Sequence, residues 1–294
     1  MVIVNLKGGL GNQMFQYAMG RRYAHLSNQV IKLDLGFLRS VNHQSNVTIR
    51  DYELSAFNIQ EDFANDYEIS KYKNPATQIL NKVFPHFRTN PYVKEKYFHF
   101  DPSILSIKGG RYFDGHWMSE KYFSDIEPII RAEFTCKTKI IDKAKSLHTQ
   151  ILNSNSICVQ VRRGDYVTNP DVAKIHQTTS LNYFERGVAQ IKSIVEKPVF
   201  FVFSDDSKWC EENMKWLENV HFVERELEGE GARNCDYLQL MIACKHFVIS
   251  NSTFAWWAAW LSISPGKLVV APMNWFNNKE ILTVDIYPSN WFKI

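Results

Sequence analysis

Two adjacent arginines close the segment Val159-Gln160-Val161-Arg162-Arg163-Gly164-Asp165-Tyr166. A guanidinium is planar, permanently charged and forked, which suits it to the paired oxygens of a diphosphate. The arginines follow an apolar run, Ile157-Cys158-Val159, that reads as a buried strand. Charges placed where such a strand stops lie at the carboxyl edge of a sheet, and open α/β sheets take their ligands there. The plainer alternative is an ion pair between Arg163 and Asp165 that holds a turn. Neighbouring side chains at a strand end point to opposite sides, so the two arginines do not share one phosphate. Arg162 is therefore assigned to the anion and Arg163 to a structural pair with Asp165.

Other loop–helix junctions carry polar groups suited to a ligand. Gly8-Gly9-Leu10-Gly11-Asn12-Gln13 is a glycine loop entering a helix. It lacks the lysine and hydroxyl of a P-loop and the spacing of a dinucleotide fingerprint. Such a loop lets a ligand approach backbone N–H groups at the positive helix end, or it is a tight turn needing positive φ. Ser204-Asp205-Asp206 follows an apolar strand. A carboxylate there accepts paired N–H bonds from a guanine edge or holds a ribose; the alternative is helix capping, and at least one of the two does only that. Ser250-Asn251-Ser252-Thr253 precedes another helix. Capping needs one such residue rather than a run of them, which favours a phosphate site of hydroxyl and N–H groups. His176 is a candidate general base, although a lone histidine usually is not one. Glu224, Glu226, Glu228 and Glu230 alternate in a glycine-containing loop and read as a solvated acidic loop rather than a metal site. With no D-x-D pattern and no clustered His/Asp spacing, no essential metal and no cofactor are expected.

The elements that must position these residues alternate. The strand from Val2 to Leu6, the glycine loop, a helix through about Leu26 and the strand Val30 to Asp34 form a βαβ unit. From about 40 to 130 the chain is rich in isolated prolines (Pro75, Pro85, Pro91, Pro102) and in aromatic residues. Irregular loops with short helices are expected there, with most aromatics filling a small core and some free to stack on a sugar ring. Then come a strand at 157–161, a helix opening at Ser180, strands Val199 to Phe203 and Val220 to Val223, a helix from Asp236 to Lys245, strand Phe247 to Ile249, a helix from Phe254 to Leu261, and strand Leu268 to Val270. Leu181, Phe184, Val188, Ile191 and Val195 line one face of the helix opening at Ser180. Strands alternating with helices mean parallel sheets. The expected class is α/β, with two Rossmann-like domains at 1–150 and 151–294.

Composition narrows the function. With 294 residues, 45% hydrophobic content and a net charge of +3, the chain reads as globular, with no basic arm for nucleic acid. No apolar run reaches the ~18 residues of a membrane span, so any membrane association is expected to be peripheral. The five cysteines form no C-x-x-C pair, which reads as a reduced, cytosolic protein.

The segments Gly8-Gly9-Leu10-Gly11-Asn12-Gln13-Met14-Phe15-Gln16, Arg162-Arg163-Gly164-Asp165-Tyr166, Phe203-Ser204-Asp205-Asp206 and Ser250-Asn251-Ser252-Thr253-Phe254-Ala255-Trp256-Trp257 together resemble, in order, the motifs of glycosyltransferase family 11, the α-1,2-fucosyltransferases. The resemblance implies a GT-B fold and metal-independent, inverting transfer of fucose from GDP-fucose to the 2-OH of a terminal galactoside, on an oligosaccharide or a lipid-linked glycan. It also implies a bacterial, cytoplasmic enzyme of surface polysaccharide assembly. By position Arg162 would hold the β-phosphate, Ser252, Thr253 and Phe254 would line the phosphates beside Asn251, and Asp205 or Asp206 would lie near the guanosine. Gly9, Gly11, Asn12 and Gln13 would approach the donor from the other domain. The family's histidine is replaced here by Gln160, which hydrogen-bonds but moves no proton at neutral pH. Asp165 and His176 remain as candidate bases. The rival readings are another GDP-sugar transferase, or a glycan-binding protein without catalysis that uses the aromatic middle region.

Overall fold

A computed structural model describes residues 1–41, 50–73, 91–176, 178–224 and 235–294. Pro75, Pro85, Glu226, Glu228 and Glu230 lie outside the described residues. The chain divides into two compact units, Met1–Thr135 with Val284–Ile286, and Cys136–Thr283 with Tyr287–Ile294. The division falls at 135/136 rather than near 150 because the stretch after Thr135 is tied into the second unit. There Ile141 N–H donates to Asp236 Oδ1 at 3.2 Å, and Gln239 Nε2 donates to the Thr138 carbonyl at 3.4 Å.

The first unit runs β1 (Val2–Asn5), α1 (Leu10–Leu26), β2 (Ile31–Asp34), α2 (Gly36–Val41), α3 (Asp66–Lys73), β3 (Tyr92–Lys94), β4 (Arg111–Asp114) and α4 (Glu127–Glu133). Its strands lie in the order β2-β1-β4-β3, all parallel. Val2, Ile3 and Val4 are wholly buried, as a strand covered on both faces requires. Met14, Ala18, Phe15 and Met19 are buried on α1 at the expected i,i+4 spacing. The 40–130 stretch does hold short helices, but it also supplies β3 and β4, which periodicity does not reveal. β3 (Tyr-Val-Lys) and β4 (Arg-Tyr-Phe-Asp) each hold only two consecutive apolar residues, too few to mark a strand, whereas the similarly short β1 and β8 lie in longer apolar runs.

The second unit runs α5 (Asp142–Asn153), β5 (Asn155–Val161), α6 (Gly164–Thr168), α7 (Pro170–Ile175), α8 (Leu181–Lys192), β6 (Pro198–Ser204), α9 (Ser207–Asn213), β7 (Val220–Val223), α10 (Cys235–Ala243), β8 (His246–Ile249), α11 (Thr253–Leu261), β9 (Val269–Ala271) and β10 (Phe292–Lys293). Strand order is β10-β9-β8-β5-β6-β7, again parallel throughout. The continuous apolar runs of β5 and β6 fit their places inside the sheet, β5 at its centre beside β8 and β6 between β5 and the edge strand β7. Ser180 caps α8 by accepting from Tyr183 N–H at 3.3 Å. The α8 stripe of Phe184, Val188 and Ile191 packs on Val159, Phe200 and Val248 of the sheet. Each such side chain contributes about 1.5–3 kcal/mol by leaving water.

One expectation about the cysteines is overturned. Cys136 and Cys235 form a disulfide, with Cα atoms 6.4 Å apart across 99 residues of sequence. Sequence spacing does not reveal it, because the partners meet only where the chain leaving the first unit passes the start of α10. Cys158, Cys210 and Cys244 are free and buried. Burial, with Cys244 beside it, pushes the Cys158 thiol well above its ordinary range.

Candidate active site

The second unit gathers most of the singled-out residues at the carboxyl ends of β5, β6 and β8. Arg162 leaves β5 with its guanidinium between two carboxylates: Nη2 donates to Asp165 Oδ1 at 2.5 Å, and Nη1 stands 2.9 Å from Asp205 Oδ2. The second contact is an ion pair without hydrogen-bond alignment. Burial works against the charge of Arg162, but Asp205 and Asp165 more than offset it and raise its pKa. Arg163 turns the other way. Its Nε donates to Asp206 Oδ2 at 3.1 Å, and its guanidinium lies 3.8 Å over the Trp209 ring. The two arginines thus separate as strand geometry demands. Their partners differ from expectation, since Asp165 belongs to Arg162 and Arg163 pairs with Asp206. The reason is the start of α6, which turns Asp165 back over the strand end, three residues from Arg162.

Asp205 and Asp206 divide their work. Asp206 Oδ1 accepts from Trp209 N–H at 3.3 Å and caps α9. Asp205 Oδ1 accepts the backbone N–H of Arg163 at 2.8 Å while its other oxygen faces Arg162. Glycine at 164 is what permits this approach, because a Cβ there would lie 2.4 Å from Asp205 Oδ2. Ser204 Oγ accepts from Asp206 N–H at 2.9 Å, and Ser204 N–H donates to the Tyr237 hydroxyl at 2.9 Å. Gln160 is buried, and its Oε1 accepts from Ser250 Oγ at 2.5 Å.

Asn251 is also buried. Its Nδ2 donates to the Trp275 carbonyl at 2.8 Å, its carbonyl accepts from the Tyr166 hydroxyl at 3.1 Å, and its Oδ1 has no partner. Ser252 makes no side-chain cap at the start of α11. The N–H groups of Thr253, Phe254 and Ala255 therefore point out of the first turn with no acceptor inside the helix, at its positive end. Behind them Trp256, Trp257 and Trp260 are core side chains. His176 stacks on Tyr166, with ring centroids 4.7 Å apart, and so joins the neighbourhood of Arg162. Burial, aided by the charge of Arg162, lowers its pKa against the pull of Asp165, and its Nδ1 is buried without a partner. The imidazole is therefore neutral at neutral pH.

The residues of the glycine loop lie in the first unit. Gly8 takes φ +75, and Gly9 is the N-cap of α1, followed by Gly11 in the first turn. Asn12 packs over Gly8, where a Cβ would come within 2.4 Å of its Nδ2. Gln13 is wholly buried. Its Nε2 donates to the carbonyls of Gly8 at 2.9 Å and Asp51 at 2.8 Å, and its Oε1 accepts from Glu53 N–H at 3.0 Å. Both its N–H donors are spent inside the protein, which makes it a staple between loops.

The first unit also holds a charged cluster that sequence reading misses. Asp114, at the end of β4, accepts from Lys7 Nζ at 2.5 Å and Asn5 Nδ2 at 3.0 Å on one oxygen, and from the Tyr92 hydroxyl at 2.5 Å on the other. Nearby in register, Asp34 accepts from the Tyr112 hydroxyl at 2.6 Å. The available signal was a carboxylate closing an apolar run, the same one that marks Asp205. Burial alone would raise the Asp114 pKa, but hydrogen bonds from Lys7, Tyr92 and Asn5 bring it down to about 2. A depressed carboxylate adds stability above its unfolded pKa, and that stability is lost as pH falls through the folded value. The gap in Tm between the native protein and Asp114→Asn is therefore expected to close between about pH 4 and pH 2. A gap independent of pH across that window would refute the assignment.

Comparison with known proteins places this geometry among sugar transferases. The sequence model of glycosyl transferase family 11 matches residues 1–294. An alpha-1,2-colitosyltransferase of Escherichia coli is 33% identical over 100% of this chain and 99% of its own length. The galactoside 2-alpha-L-fucosyltransferase Sec1 of Mus musculus is 27% identical over 89% of this chain and 64% of its own. Among solved structures, the NodZ alpha-1,6-fucosyltransferase co-crystallized with GDP superposes with a TM-score of 0.53, at 15% identity, over 92% of this chain and 94% of that one. That likeness shows the fold to be the GT-B type expected from the sequence.

Proposed function

Because the chain belongs to glycosyl transferase family 11, and so is a glycosyltransferase, we propose that it transfers L-fucose from GDP-β-L-fucose to the 2-OH of a terminal galactoside, with inversion and without a metal ion. The observation that carries this reading is Arg162, held between Asp165 and Asp205 beside β8 and the start of α11. As the sugar–phosphate bond breaks, negative charge grows on the departing GDP and the sugar becomes oxocarbenium-like. A guanidinium already fixed by two carboxylates stabilises that charge without reorganising, using N–H groups the carboxylates leave over. The first-turn N–H groups of α11 and the Ser252 and Thr253 hydroxyls serve the same phosphates. The guanine edge is read by the Asp205–Asp206 pair, of which Asp206 is the more accessible at 38% exposure.

The acceptor oxygen attacks C1, the C1–O bond to the β-phosphate breaks, and the acceptor proton passes to a base. Asp165 and His176 are the candidates. His176, being neutral at working pH, is free to take a proton.

Transfer of colitose is a second reading, favoured by the colitosyltransferase relative. Colitose is fucose without its 3-hydroxyl, so the two donors differ by one polar group. No helix among the described residues is long and apolar enough to cross a membrane. A cytoplasmic site of action, with at most peripheral membrane contact and no nucleic-acid partner, fits the proposal.

The test offers GDP-fucose, GDP-colitose and a UDP-sugar with lactose in excess EDTA, and reads linkage by mass spectrometry. A 2-linked fucosyl product formed in chelator is the expected result. Preference for GDP-colitose would select the second reading. Rescue by magnesium after a chelator block would overturn metal independence, and a 3- or 4-linked product the regiochemistry.

A further inference from the structure

The charged cluster of the first unit has the composition of a sugar-binding site, and we propose that Phe37, Lys7, Asp114 and Asn5 form the subsite for one pyranose ring of the acceptor. This inference rests on the galactoside-acceptor reading above. In it, the apolar face of the ring lies on Phe37, and its hydroxyls bond to Asp114, Lys7 and the amide oxygen of Asn5.

Placement is the first support. Asn5, Asp34 and Asp114 end neighbouring parallel strands at one level, since Asn5 is in register with Asp34, and Val4 with Phe113. They stand at the carboxyl edge, where such sheets take ligands. The second support is an orphaned acceptor. Asn5 is only 8% exposed, its Nδ2 donates to Asp114, and its Oδ1 has no partner. A buried amide oxygen without a donor asks for one from outside the protein.

The third support is an aromatic face. Phe37 is 42% exposed and lies next to the cluster, with Lys7 Nζ 5.9 Å from its ring centroid. A large apolar ring left open beside a polar cluster suits a ligand that is apolar on one face and polar at its rim.

Charge selects the ligand class. Lys7 and Asp114 neutralise each other at 2.5 Å, and the nearby Glu95 spends its two oxygens on the backbone N–H groups of His116 and Trp117, so the pair itself presents no net charge. The site offers an acceptor on Asp114, donors on Lys7 and an acceptor on Asn5, which matches a neutral, polyhydroxylated molecule. A purely structural ion pair would account for Asp114 and Lys7 but not for the open Phe37 ring or the unpaired Asn5 oxygen.

The probe is lactose, observed by saturation-transfer NMR on the full chain in the presence of GDP, with GDP affinity measured separately by calorimetry. Phe37→Ala removes an exposed ring and keeps the fold. It is expected to weaken lactose binding about 10-fold, the loss of one aromatic contact, and to leave GDP affinity unchanged. Asp114→Asn should weaken lactose as well, and circular dichroism checks that it remains folded. Lactose bound equally by native protein and Phe37→Ala overturns the subsite, as does lactose that shows no saturation on native protein. Failure of GDP to bind refutes the donor reading instead, and the lactose signal then still decides the subsite.

Discussion

On the proposed role of Arg162 at the diphosphate, Arg162→Ala lowers sugar-transfer turnover by about 10²–10³, the usual loss when a fixed donor to developing charge is removed. The same substitution will also lower Tm. It removes the charge that Asp165 and Asp205 share, so the two carboxylates face each other across the place of the guanidinium. Taking the compensating cation from such partly buried carboxylates costs on the order of 1–3 kcal/mol. Arg163→Ala behaves differently. It gives up one ion pair with the partly exposed Asp206 and a stack on Trp209, about 1 kcal/mol together, and retains more of the activity. Reading Asp165 as the partner of Arg163 would put the loss of stability on Arg163. The observed pairing moves it to Arg162, so one mutant is expected to lose both activity and stability. Melting curves and GDP-fucose turnover on both variants decide the matter. A nearly inactive Arg163→Ala beside an active Arg162→Ala would show the roles to be reversed.

Trp256→Ala is expected to destabilise the protein by about 3–5 kcal/mol, the range for emptying a buried aromatic site. Trp256 is wholly buried and lies among Trp257, Trp260 and Trp291, with ring centroids 5.0, 6.1 and 5.7 Å away. These rings hold α11 against the unit, and the start of α11 carries Ser252 and Thr253. On the proposed role of the α11 start at the diphosphate, loosening the helix is expected to weaken GDP binding as well. Urea titration and calorimetry on the variant measure both effects. A cost below about 1 kcal/mol would mean that the cluster repacks around the gap.

Legibility in the sequence follows the length and continuity of the apolar runs. Ile157-Cys158-Val159 and Val199-Phe200-Phe201-Val202-Phe203 are unbroken, so β5 and β6 and the polar residues that follow them are readable by eye. The stripe on α8 is equally plain. β3, β4 and β10 hold at most two consecutive apolar residues, so no run marks them, although β1 and β8 are no longer than β4. Among the site residues, the separation of Arg162 from Arg163 is a local consequence of strand geometry and could be foreseen. Which carboxylate meets which arginine could not, because Asp205 and Asp206 arrive from another strand. Gln13 shows the same limit, since its fate depends on Asp51 and Glu53 in a later loop. Asp114 ends its strand as Asp205 ends β6. With only two apolar residues before it, however, β4 does not show as a strand, so Asp114 does not stand out at a strand end.

Asp285 accepts from the backbone N–H of Phe100 at 3.3 Å and pairs with Lys121, within the unit that otherwise ends at Thr135. A ribosome therefore releases the whole of the second sheet up to β9 before it supplies the last piece of the first unit. Vectorial synthesis cannot complete the first unit early, and an N-terminal fragment cut at Thr135 would emerge with Lys121 and the Phe100 amide lacking their contacts to Asp285. The two units are discontinuous in the gene as well as in the chain. Exchange of one unit between relatives would need three crossovers, one at 135/136 and two flanking 284–286, so recombination is expected to pass these halves on together.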